Sequence, residues 1–234
     1  MKKLITTILF FGSSIFVFAQ SSKLVTDFKQ TTVIVSDQFA DCNHDHKLGN
    51  CVSIAVIKCA LGQFGAIENV FKSFIKNDDG SFNVEFFDGI KVKVTTSEID
   101  IVKQISGITP NANSKYFEDA IIIYACMCKR IYEEAQSEKK CILTFTNAVE
   151  SLNSGYPTID GSKLLGMDRT DLTLEQIKTE PNAVIWCSAH AAYISSGTQD
   201  LLGNPMPLRN NKMRNLARYS KIKGGYKLKI NQKS

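Results

Sequence analysis

Apolar residues run almost unbroken from Leu4 to Phe18, and after that they recur in shorter blocks separated by polar loops. The first block follows Met1-Lys2-Lys3 and ends in Val17-Phe18-Ala19, so residues 1–19 have the charged start, apolar centre and cleavage site of a secretory signal peptide. It is shorter than the roughly 20 apolar residues that a helix needs to cross a bilayer, and no later block is long enough either. The expected protein is exported, secreted or periplasmic, with cleavage near Ala19 and a working chain of residues 20–234.

Thr31 to Val35 reads as a leader or first strand, followed by the polar, histidine-bearing stretch DCNHDHKLGN. CVSIAVIKCALG comes next. Its β-branched residues favour a strand, but apolar residues on every side and Asn50 in a capping position favour a helix buried all round. Residues 80–95 predict a hairpin: Phe82, Val84 and Phe86 alternate with polar residues, as do Ile90, Val92 and Val94, around Asp88-Gly89. Tyr116 to Ala135 places Phe117, Ile121, Tyr124, Cys128, Ile131 and Ala135 on one helical stripe. Phe145 to Leu152 suits a short helix, Thr173 and Gln176 form a capping-box pattern opening another, and residues 183–195 read as a β-rich buried segment.

Charge changes the picture at one end. From Leu208 onward there are nine basic residues and no acidic one, and setting these and the two leader lysines aside takes the net +5 of the chain to −6 for the body. A basic end on an acidic body, without any nucleic-acid-reading motif, excludes nucleic acid as a partner. It predicts either a solvated C-terminal hairpin around GGYKLKI or contact with an anionic cell surface. Seven cysteines in an exported chain permit disulfides, and the odd count leaves at least one thiol unpaired.

Cys51 directly follows Asn50 at the expected helix start, where unsatisfied backbone amides lower a thiol pKa and supply oxyanion donors. That makes Cys51 the expected free thiol. The histidines are His44, His46 and His190, and only His190 lies far enough along the chain to come from a separate lobe. The competing readings are a buried, inert cysteine and histidine, and a zinc site from Cys42, His44, His46 and Cys51, whose spacing matches no standard structural site.

Leu48-Gly49-Asn50-Cys51-Val52 resembles the nucleophile segment of calpain-like cysteine proteases, and the 80–95 hairpin, the Phe117 to Tyr132 helix, Gly161 to Gly166 and His190-Ala191-Ala192-Tyr193 resemble further segments of that family in the same order. The resemblance implies an α+β, papain-like two-lobed fold over residues 20–234, with a helical lobe carrying Cys51 and a β-rich lobe carrying His190. It implies an exported thiol peptidase acting on protein or peptide substrates through a thioester, with Cys51 as nucleophile, His190 as acid and base, and Asn210 orienting the imidazole. Asn204 and Asn211 compete with Asn210 for that role. The chain departs from the family at Asp45, where a glutamine oxyanion donor is expected and where His44 or His46 stands ready to substitute, and in lacking the Pro-Trp that follows the asparagine. These departures keep two alternatives open, a catalytically impaired papain-fold binding module and an amidase or transamidase using the same dyad. No cofactor is expected, and the absence of an EF-hand loop gives no reason to expect calcium regulation.

Overall fold

The computed structural model describes residues 25, 28–30, 49–111, 115–138, 142, 144–188, 190–214 and 218–231. The expected signal peptide, the strand read at Thr31 to Val35, and Cys42, His44, Asp45 and His46 lie outside them. In chain order the elements begin with strand β1 (Phe28–Gln30), helix α1 (Cys51–Phe64), strands β2 (Ser73–Lys76), β3 (Phe82–Glu85) and β4 (Lys91–Val94), helix α2 (Thr96–Ile105) and strand β5 (Ile108–Pro110). Helices α3 (Phe117–Ser137) and α4 (Phe145–Ser154) follow, then a 3-10 segment (Thr158–Leu165), strand β6 (Asp168–Asp171) and helix α5 (Leu174–Thr179). The chain ends in strands β7 (Ala183–Trp186), β8 (Ala191–Ser195), β9 (Thr198–Leu201), β10 (Asn204–Pro207), β11 (Lys212–Arg214), β12 (Tyr219–Lys221) and β13 (Gly224–Lys229). No helix among the described residues is long and apolar enough to cross a membrane.

The fold is α+β, with most helices in the first part of the chain and a six-stranded antiparallel sheet, ordered β10-β9-β8-β7-β13-β6, in the second. The strand reading of CVSIAVIKCALG is overruled, because ten consecutive residues of α1, Val52 to Leu61, are buried. Only a helix surrounded by other elements buries every face in this way. The 80–95 hairpin has Phe82 opposite Val94 and Val84 opposite Val92, all four buried, and β2 pairs with β3 as a third strand. Sequence pattern alone missed α2, although Thr95 and Glu98 form a full capping box at its start.

The expected solvated hairpin at GGYKLKI is corrected by β13, which is an interior strand between β7 and β6. Tyr226 and Leu228 alternate into the core, while Lys227 reaches Glu180 at 3.4 Å and Lys229 is exposed. The lysines marked only one face of a strand whose other face is buried.

Two glycines allow close approach to α1. A Cβ on Gly161, in the 3-10 segment, would stand 3.0 Å from the Val52 and Val56 side chains, and one on Gly62 would strike the Asn182 amide and the Tyr193 hydroxyl. Overpacking of this kind costs about 1–3 kcal/mol. Gly161→Ala and Gly62→Ala are each expected to lower the thermal midpoint, and midpoints equal to wild type would show that α1 can shift to make room.

Candidate functional site

Cys51 is the first residue of α1, and the turn that delivers it is held from below. Gly49 has φ of 127°, a backbone conformation suited to glycine, and its N–H donates to the Asn153 carbonyl at 3.1 Å. Asn50 occupies the expected capping position, but its side chain does not cap the helix. It is fully buried and donates to the Ser106 carbonyl at 2.6 Å and to Asn153 Oδ1 at 3.4 Å. Tyr124 donates to the same Asn153 oxygen at 2.6 Å, and Asn153 Nδ2 donates to the Ile105 carbonyl at 2.7 Å. This network anchors the start of α1 to α2, α3 and α4. The backbone N–H groups of Ala191, Val52 and Cys51 lie near the Cys51 sulfur and favour its thiolate.

His190 ends the turn between β7 and β8, where its carbonyl accepts the Cys187 N–H at 2.9 Å. Cys51, Ile54 and Ala55 of α1, the chain from His190 to Tyr193, and Asp200 and Leu202 after it line one small cavity. It measures about 20 Å³ at the radius of a water molecule, enough for about one water. The fold therefore brings Cys51 and His190 to the same cavity, although no hydrogen bond joins their side chains.

Electrostatics there differ from the expectation of a depressed thiol pKa. Burial pushes the Cys51 thiol above its ordinary value, the three backbone amides pull it partly back, and the nearby Cys187 thiol raises it slightly. Burial also pushes the His190 imidazole below its ordinary 6.5. Desolvation penalises the charged form of each group, so the resting pair is a neutral thiol and a neutral imidazole.

Asn210 is not part of this cavity. It and Asn211, with φ of 50° and 58°, form the exposed two-residue turn between Arg209 and Lys212, whose backbones bond to each other at 2.9 and 3.2 Å. Two consecutive positive φ values are what a tight hairpin turn with right-handed twist demands, and asparagine tolerates them. Asn204 is exposed in β10. None of the three asparagines lines the cavity that holds Cys51 and His190, and none hydrogen-bonds His190. Cys51, Cys59, Cys126, Cys128 and Cys187 are all free thiols, so Cys51 is one of several unpaired cysteines. Among the described residues no group of three or more His, Cys, Asp or Glu is placed to hold a metal, and three of the four residues of the zinc alternative lie outside them.

The side chains that sequence reasoning missed are Lys58 and Asp200. Lys58 lies two turns beyond Cys51 in α1, fully buried, with its Nζ 2.8 Å from Asp200 Oδ2. Asp200 Oδ1 accepts the Gly203 N–H at 3.0 Å. Burial raises the Asp200 pKa, against the opposing pull of Lys58 and of that N–H. The signal was a single lysine inside an otherwise apolar run, since a buried ammonium needs a partner. Comparison with protein-family models, curated proteins and solved structures finds no match to this chain.

Asp200→Ala removes a counter-charge from buried Lys58 and is expected to cost about 3–5 kcal/mol in denaturant unfolding, whereas the double variant Lys58→Met with Asp200→Leu recovers most of the loss. A double variant as unstable as the single one would count against desolvation as the cause. A second expectation concerns pH. Because the folded His190 pKa lies below its unfolded value, the contribution of the neutral imidazole is complete above about 6.5 and is lost as pH falls through the folded pKa. His190→Gln should therefore flatten the decline of stability with acidification below about pH 6.5, and an unchanged decline would assign it to other groups.

Proposed function

We propose that this protein is an exported thiol peptidase with a papain-like two-lobed fold, in which Cys51 is the nucleophile and His190 the general base and acid. The observation that carries the reading is that a cysteine at the amino end of a buried helix and a histidine at the entry to the facing strand β8 line one cavity, where nearby backbone amides favour the thiolate. In this reading His190 takes the thiol proton as the sulfur attacks the scissile carbonyl, and then delivers it to the departing amine. Water hydrolyses the resulting thioester and returns Cys51 to the thiol. Backbone amides at the start of α1 are suited to the negative oxygen that develops at each attack.

The neutral resting pair gives the reaction a definite character. Proton transfer accompanies attack, instead of an ion pair standing ready beforehand, and the narrow cavity must widen to admit a peptide. The same two observations favour the second reading, a papain-fold binding module in which the pair is buried and silent.

The discriminating experiment treats mature protein with a peptidyl vinyl sulfone, which alkylates a cysteine thiolate, and with a fluorogenic peptide. Labelling of Cys51 and turnover are expected in the wild type. Cys51→Ala should lose both, and His190→Ala should lose about 10²- to 10⁴-fold in rate. Folded wild-type protein that is neither labelled nor active would leave the binding-module reading, and release of ammonia from primary amides without peptide cleavage would favour an amidase.

A further inference from the structure

The basic residues after Leu208 are gathered by the fold onto one surface. In the ribbon formed by β11 and β12, Lys212 stands directly opposite Lys221 and Arg214 opposite Tyr219. Successive side chains point to opposite faces of a strand. Fully buried Met213 marks the inner face, so Lys212, Arg214 and Lys221 share the other face with Tyr219, which is half-buried beneath the cations with its hydroxyl out of water. Arg209, at the turn that leads into β11, has its guanidinium 5.3 Å from the centre of the Tyr219 ring, and the Arg214 guanidinium lies at the same distance.

Two features set this face apart from ordinary solvated charge. Among the described residues none of its four cations pairs with a carboxylate, while on the three-stranded sheet Lys72, Lys91 and Lys93 each meet an acid. Like charges directly opposite each other destabilise a sheet, yet the register holds Lys212 against Lys221. The ribbon is also fixed in place. The buried Gln199 side chain of β9 accepts the Arg214 N–H at 2.7 Å and donates to the Arg214 carbonyl at 2.8 Å, in the manner of a neighbouring strand.

We propose that the outer face of the β11–β12 ribbon binds an acidic polysaccharide, whose anionic groups lie between Lys212 and Lys221 and against the guanidinium forks of Arg209 and Arg214. Across the strands Cβ atoms stand roughly 5 Å apart, and along them same-face residues are about 7 Å apart, so the ribbon presents Lys212, Lys221 and Arg214 as a two-row array of positive charge that an extended polyanion can follow. Guanidinium forks match carboxylate, sulfate and phosphate groups. A lipid surface fits less well. The exposed large apolar side chains among the described residues are Ile75, Ile159 and Leu174, none of them on the ribbon, and stable membrane attachment needs apolar insertion or a second anchor besides charge. A single-stranded nucleic acid needs a free aromatic platform for its bases, and the Tyr219 ring is already engaged by two guanidiniums. The site is independent of Cys51 and His190, so its test does not depend on catalysis.

The experiment uses mature full-length protein and heparin, a sulfated polysaccharide, with affinity measured across a salt series. Wild type should bind with an affinity that falls as salt rises, and Lys212→Ser with Lys221→Ser should weaken binding and reduce the slope of log affinity against log salt by about two, roughly one for each cation removed. Lys212→Arg with Lys221→Arg should retain binding. Lys91→Ser with Lys93→Ser removes the same charge from the three-stranded sheet and should leave affinity close to wild type. The proposal is overturned if both serine pairs weaken binding equally, which would reduce the effect to net charge. It is also overturned if heparin does not bind, or if duplex DNA or vesicles of phosphatidylglycerol and phosphatidylcholine bind more tightly than heparin at the same salt.

Discussion

A helix with no face left for water has to be enclosed, and the enclosure of α1 sets the position of nearly everything else. Val56, Ile57, Cys59, Ala60 and Leu61 are fully buried, and helices, the 3-10 segment and the large sheet all pack around them. Gly161 and Gly62 lie where neighbours come closest, and the Asn50, Asn153 and Tyr124 network fixes the height at which the helix starts. Cys51 is held at the edge of this enclosure, where the amino end of α1 meets the chain entering β8.

Enclosure also decides the chemistry of the end residue. A helix start favours a thiolate and an apolar surround opposes it, and at Cys51 the surround outweighs the amides. Lys58 is buried in the same helix, and there a carboxylate, Asp200, lies within hydrogen-bond distance of its nitrogen. One helix thus carries a thiol whose anion is disfavoured by burial and a lysine buried against an acidic partner. A group taken out of water either loses its charge or needs a counter-charge beside it.

What could be read from the chain was local. The apolar run of α1, the alternation at Phe82 to Val94, the stripe of α3 and the Thr173 capping box each lie within a short window, and each stands close to where it was expected. The sheet order was illegible because its strands are only four to six residues long and β13 pairs across a large separation with β6 and β7. The turn at Asn210-Asn211 was not legible because asparagine serves equally as a side-chain hydrogen-bonding group and as a residue that accepts positive φ, and only the backbone distinguishes the two. Half of the Lys58 and Asp200 pair was visible as a lysine among apolar residues. Its partner lay in a polar stretch with no periodicity to single it out.

The buried thiols have a consequence for how the chain reaches this state. Cys59 has its pKa pushed up to about 12, and the Cys126 and Cys128 thiols are also raised by burial. Disulfide exchange proceeds through the thiolate, so once the core has closed these sulfurs are inert toward an oxidising milieu. Before it closes they have ordinary reactivity. Folding under oxidising conditions is therefore a race between collapse of the core and oxidation of its cysteines, and refolding yield in vitro should depend on the redox buffer far more than the finished protein does.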